Sequence, residues 1–181
     1  MDTETIVQQV NYLLDGASSV TAFTITGGEP LEQPEFVAEL ARRLRSFNMP
    51  LHVETNGVEA DNLDQLLGLF DVWSVDIKLP SVCGRDDLWS KHERFLKRVR
   101  SRFVMIKIVV GQLSTAEEIE RAAGIISGAR LKSPVFLQPV TDENGAILVS
   151  FRHVMELYEA TTARLKDVRV MPQIHKMIGS M

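Results

Sequence analysis

The amino-acid sequence predicts an α/β protein, a partial (β/α) TIM-like barrel without its first strand, on three observations. Short β-branched or apolar runs alternate with amphipathic stretches, as repeated βα units around a parallel sheet require. Glycine, amide and charged residues gather at the downstream ends of those runs, where the loops of neighbouring units converge in parallel α/β proteins. The first clear element, about residues 3–14, carries Ile6, Val7, Val10, Leu13 and Leu14 on one face, which is helical spacing, so the barrel opens on a helix.

The remaining elements follow in chain order. Strands are predicted over residues 20–25, 51–54, 72–77, 103–110, 135–138 and 168–171, each rich in valine, isoleucine or aromatic side chains. Between them, helical spacing links Phe36, Leu40, Leu44 and Phe47, then Leu63, Leu66, Leu67 and Phe70, then Phe151, Val154, Met155, Tyr158 and Leu165. Pro34 suits a first helical turn. Ser114-Thr115-Ala116-Glu117 has the form of a capping box, in which serine and glutamate each satisfy an orphan backbone amide.

Composition narrows the function. With 181 residues, 45% of them hydrophobic and 24% charged, the chain reads as one compact domain spanning residues 1–181. A net charge of −4 argues against a nucleic-acid partner and for a small-molecule or protein partner. No apolar run reaches the ~18–20 residues of a membrane span and the N-terminus lacks a secretory pattern, so the expected location is cytoplasmic and the expected partners include no membrane. The single cysteine, Cys83, excludes an internal disulfide framework and any all-cysteine metal site within this chain.

Three polar segments stand at strand ends: Thr26-Gly27-Gly28-Glu29-Pro30, Glu54-Thr55-Asn56-Gly57 and Asp76-Ile77-Lys78. Side chains alternate along a strand, so Asp76 and Lys78 share a face, as Glu54 and Asn56 do if the strand runs that far. Lys107, inside an apolar strand, needs a partner because a lone buried charge is costly. Each feature also has a plainer reading. Gly27-Gly28 and Asn56-Gly57 suit tight turns. Asp76, Lys78 and Lys107 suit an internal ion pair. Cys83 reads as an incidental loop thiol, His52 and His92 as packing or surface residues, and Trp73 and Trp89 as core. His175 follows the last strand and could reach the mouth.

In combination, the ordered segments resemble the motif set of the radical S-adenosylmethionine (SAM) superfamily. With Leu137-Gln138-Pro139-Val140 and Met171-Pro172-Gln173-Ile174-His175-Lys176, they are most similar to its 7-carboxy-7-deazaguanine synthase branch, and more distantly to pyruvate formate-lyase activating enzymes. The resemblance implies that Gly27, Gly28, Glu29 and Pro30 bind the methionine amino group of SAM. It further implies that Glu54, Asn56, Asp76 and Lys78 line the pocket near ribose and carboxylate, and that Gln138, Gln173 and His175 face the substrate or adenosyl side. The implied reaction converts 6-carboxytetrahydropterin to 7-carboxy-7-deazaguanine in queuosine and deazapurine biosynthesis. It uses SAM, a [4Fe–4S] cluster, Mg2+ and an electron donor such as flavodoxin or ferredoxin.

The family carries a C-x-x-x-C-x-x-C cluster loop before the helix that corresponds to residues 3–14, and this sequence begins after that point. The resemblance therefore implies a truncated radical SAM core, lacking its first strand and cysteine loop and inactive as it stands. An exposed barrel edge would favour a homodimer, because unpaired edge groups recruit strands. Other readings stay open: the core of a glycyl-radical-enzyme activating protein, a non-catalytic remnant that binds SAM or a protein partner, or an unrelated barrel enzyme using Asp76 and Lys78 as acid and base.

Overall fold

The computed structural model describes residues 2–17 and 19–174. Six parallel strands, β1 (Phe23–Ile25), β2 (Leu51–Thr55), β3 (Val72–Lys78), β4 (Phe103–Val110), β5 (Val135–Pro139) and β6 (Val168–Val170), pair in the order in which they occur in the chain. The helices are α1 (Thr3–Gly16), α2 (Pro34–Leu44), α3 (Pro80–Cys83), α4 (Leu88–Val99), α5 (Ala116–Gly128) and α6 (Phe151–Thr162). Together they form the α/β sheet of an open, partial barrel.

Strand alternation divides the sheet into two faces. On the helix-covered face Leu51, Val53, Trp73, Val75, Ile77, Val104, Ile106, Ile108, Val110, Val135 and Leu137 join one core with Leu40 and Leu44 of α2, Phe95 and Leu96 of α4, Ile119 and Ile126 of α5 and Leu157 of α6. Trp73 is edge-on to both Phe70 and Phe95. The intervening residues, among them Glu54, Asp76, Lys78, Met105, Lys107 and Phe136, face the opposite way and stay partly exposed.

Several elements differ from expectation, each for a local reason. The first strand is confined to Phe23–Ile25, because β2 starts at Leu51 and the last tie on that side is the Phe23 amide to the Pro50 carbonyl, leaving residues 20–22 without a strand partner. Residues 56–71, the shortest connection between strands, form a short 3-10 helix (Ala60–Leu63) and turns with i→i+3 bonds. They still bury Leu63, Leu66 and Phe70. The capping box lies one residue later than expected: Thr115 accepts from the Glu118 amide and Glu118 from the Thr115 amide. Ser114 instead accepts from the Gly111 amide and meets the Ser81 hydroxyl, tying the loop after β4 to α3. Leu13, 66% exposed, and Phe151, 80% exposed, lie off the packed faces of α1 and α6. Cys83 ends the one-turn α3 and is not in a loop. Among the described residues no helix is long and apolar enough to cross a membrane.

Candidate functional site at the strand ends

A line of charge crosses the downstream parts of three strands, β2, β3 and β4, and the segment after β1 joins it. The Thr26 hydroxyl donates to Glu54 Oε2 at 3.1 Å. Glu54 Oε1 accepts from Lys107 Nζ at 3.2 Å, the lysine reaching from β4 across β3 to β2. Lys107 also stands 3.1 Å from Asp76 Oδ1, and Asp76 Oδ2 accepts from Lys78 Nζ at 3.0 Å. The Oδ1 contact is an ion pair without the angle of a directed hydrogen bond. Two carboxylates and two ammonium groups thus alternate in one neutral row. Burial is the largest influence on Lys107 and pulls its ammonium down. The Asp76 and Glu54 carboxylates together outweigh it and hold the group above the ordinary lysine value.

The segment after β1 closes over this row. Gly27 (φ 93°) and Gly28 (φ 56°) both adopt the left-handed region, which a side chain disfavours. No described atom outside the immediate neighbours lies within 4 Å of where a Cβ would stand on either, so the space they face is open. Glu29 fastens the loop from behind: Oε1 accepts from the Thr55 hydroxyl at 2.7 Å and the Leu31 amide at 3.1 Å, and Oε2 from the Asn56 amide at 2.7 Å. Its acceptor capacity serves the chain itself, which makes it a clamp. Pro30 is buried as the first residue of the short 3-10 helix Pro30–Glu32. The β2 strand ends at Thr55, and Asn56 leaves the strand face to accept from the Val58 amide. Thr26, Gly28, Glu29, Glu54, Thr55, Asn56, Asp76 and Lys78 enclose a cavity of about 120 Å³.

A second cavity, of about 220 Å³, shares Glu54 as a wall and runs along the open face past Ser74, Met105, Lys107, Phe136 and Gln138 to Met171, Pro172 and Ile174. Gln138 is nearly buried there. Gln173 is turned aside, accepting from both the amide and the hydroxyl of Thr141, and lines neither cavity. His175 lies outside the described residues. Ser74, Met105 and Phe136 had not been singled out from the sequence, although they stand two residues before Asp76, Lys107 and Gln138 and hence on the same face. Among the described residues no group of three His, Cys, Asp or Glu side chains is placed to hold a metal ion.

The sequential parallel sheet with helices packed on one face is a fold shared with solved radical SAM proteins. A radical SAM methyltransferase from Sphaerobacter thermophilus superposes on 95% of this chain and 58% of its own, with a TM-score of 0.70 at 19% identity. A domain of a pyruvate-formate lyase-activating enzyme from Bacteroides vulgatus matches 84% of this chain and 99% of its own, with a TM-score of 0.66 at 16% identity. No family model matches the chain. Sequence comparison goes further than fold, and the chain belongs to the 7-carboxy-7-deazaguanine synthase family. It is 32% identical to that synthase from Methanopyrus kandleri over 177 residues, 97% of this chain and 67% of the relative. It is 37% identical to that from Geobacter sulfurreducens over 160 residues, 88% of this chain and 64% of the relative. The chain thus spans about two thirds of the length of these relatives.

Proposed function

We propose that the barrel mouth binds SAM and that this chain forms the SAM-binding core of a 7-carboxy-7-deazaguanine synthase acting on 6-carboxytetrahydropterin. The observation that carries the reading is the convergence of Gly28, Glu54, Asn56, Asp76 and Lys78, drawn from three separate segments, on one cavity. An α-amino acid zwitterion matches such a wall: carboxylates and open backbone suit its ammonium, and Lys78 suits its carboxylate. In this reading Gly27 and Gly28 let the ligand approach the backbone closely, Glu29 and Pro30 hold that loop in place, and Glu54, Asn56, Asp76 and Lys78 orient the amino-acid and ribose ends. Gln138, with Lys107 and Phe136, borders the adjoining space for the adenosyl group or substrate. When bound, SAM supplies the 5′-deoxyadenosyl group from which radical chemistry in such enzymes starts.

A [4Fe–4S] cluster does not fit the residues present. Three thiolates are needed, and the chain has one cysteine, half-buried Cys83 at the end of α3. No step of the reaction is therefore assigned to cluster-holding residues of this chain, and its residues are assigned binding and orientation. Magnesium, a flavodoxin- or ferredoxin-type donor and self-association into a homodimer belong to the proposal for the full enzyme.

The test is calorimetric titration of SAM into the 181-residue protein, wild type and Lys78→Met. Asp76 keeps Lys107 as a counter-charge when Lys78 is lost, so the fold is expected to survive with a shift of about 1 kcal/mol or less. SAM affinity should fall tenfold to a hundredfold, the equivalent of about 1.5–3 kcal/mol for a lost charge-assisted hydrogen bond. Absence of SAM binding by the wild type, or unchanged affinity with a large loss of melting temperature in the variant, would overturn the assignment.

A further inference from the structure

The β2–β3 ladder ends at the Thr55–Val75 pair, while β3 continues through Asp76, Ile77 and Lys78 with only β4 beside it. The gap that opens on the β2 side is crossed by a side chain. His92 of α4 is fully buried, and its ring spans from one strand end to the other: Nδ1 lies 3.1 Å from the Gly57 carbonyl oxygen and Nε2 3.2 Å from the Lys78 amide nitrogen. A carbonyl only accepts and an amide N–H only donates, so the ring is fixed as the tautomer with hydrogen on Nδ1. Both ring nitrogens are consumed by main chain.

Packing does not require this residue type. Position 92 belongs to the buried stripe of α4 with Leu88, Trp89, Phe95, Leu96 and Val99, where an apolar side chain would fill the same place without desolvating an imidazole. The turn it grips is also sterically committed. Gly57 has φ 67°, and a Cβ there would stand 2.6 Å from Val75 Cγ1 and 3.5 Å from His92 Nδ1. The Asn56-Gly57 turn is thus pressed against both β3 and the histidine ring.

We propose that His92 is a positioning residue for the mouth, an inserted rung that holds the turn after β2 and the end of β3 at a fixed separation so that Asn56, Asp76 and Lys78 keep their cavity. Its role in ligand binding rests on the SAM-site reading above. It acts through Asn56 and Lys78 and touches no ligand itself.

Two variants of the full chain test the proposal. His92→Leu keeps apolar packing and removes both bonds, whereas His92→Gln retains one N–H donor and one oxygen acceptor. Amide hydrogen exchange by NMR reads the local coupling, and calorimetry with SAM reads the site. His92→Leu is expected to speed exchange of the Lys78 amide at least tenfold relative to Ile106 in the sheet centre and to weaken SAM binding at least tenfold. His92→Gln should recover most of both. A leucine variant with unchanged Lys78 protection and unchanged SAM affinity overturns the proposal, as does a glutamine variant no better than leucine. If the leucine variant does not fold, wild-type exchange decides: an unprotected Lys78 amide overturns the rung, and one protected as strongly as Ile106 and loosened less than threefold in His92→Gln supports it. If the wild type binds no SAM, the SAM-site reading fails by itself, and the exchange measurements still decide whether His92 ties the strand ends.

Discussion

The two faces of the same six strands solve opposite problems. On the helix-covered face Val53, Trp73, Val75, Ile77, Ile106, Ile108 and Leu137 have essentially no exposed surface, and the work is removal of apolar area from water. One residue along in each strand, Glu54, Asp76 and Lys107 pair with one another beside a partly open space, and Gln138 lines the second cavity. The difference teaches where stability and binding reside: they are carried by alternate residues of the same backbone, so substitutions one position apart should separate them.

The largest separation is expected from Trp73→Ala. Removing the ring that packs against Phe70 and Phe95 should cost about 3–5 kcal/mol in urea unfolding. SAM affinity measured well below the lowered melting point should stay within threefold. A large affinity loss in protein that is still folded would break the division between faces.

Lys107→Met probes the open face in the same currency. It takes the shared cation from two carboxylates, but Glu54 is 42% exposed and water relieves part of the loss. The expected cost is about 2–3 kcal/mol, below the ~3–5 kcal/mol of a fully buried pair broken on one side. A change under 0.5 kcal/mol would make the charge row irrelevant to the fold.

A pH series addresses the boundary between the faces, where His92 sits. Burial, the largest influence, pushes its pKa down to about 4; nearby Lys78 also lowers it, while the Gly57 carbonyl and Asp76 act the other way. Below pH ~6.5 an unfolded chain takes up a proton that the folded one refuses, so stability is complete above ~6.5 and declines as pH falls towards 4. Between pH 7 and pH 5 the wild type should lose about 2 kcal/mol more than His92→Gln, measured by denaturant unfolding. Parallel curves would remove the buried histidine from the account.

The smallest effect on stability is expected at Gly28→Ala. A methyl group there meets no described atom, so the cost is the left-handed backbone, about 1 kcal/mol. Gly57→Ala, with similar dihedral strain and a clash with Val75, should cost distinctly more. SAM binding should nonetheless suffer at Gly28, since the added methyl projects into the open side of the loop. Equal melting points for the two alanine variants would contradict the packing described around Gly57.

Much of this contrast was legible in the sequence. Period-two alternation placed Asp76 and Lys78 on one side of β3, and all six strands were located, with errors confined to ends such as residues 20–22. Those errors arise because an edge strand extends only as far as its partner, and the partner's start at Leu51 is not written in residues 20–22. Phe151 fitted helical spacing yet is exposed, since periodicity defines a stripe and not the element that covers it. The mouth segments were visible as motifs, but their internal wiring was not. That Lys107 reaches over β3 to Glu54, that Glu29 spends its oxygens on Thr55, Asn56 and Leu31, and that His92 links two main chains all depend on distances between elements. In sequence, His92 looks like any polar residue interrupting an apolar stripe.

Strand order that follows chain order has a consequence for how the protein is made. Each strand finds its neighbour after a single connection, so no pairing waits for a remote segment and loop-closure entropy is met in small instalments. Glu54, Asp76, Lys78, His92 and Lys107 all lie between Leu51 and Val110, within β2, β3, α4 and β4. As the chain leaves the ribosome, the entire charged framework of the mouth and its histidine rung can assemble before β5 and β6 have emerged.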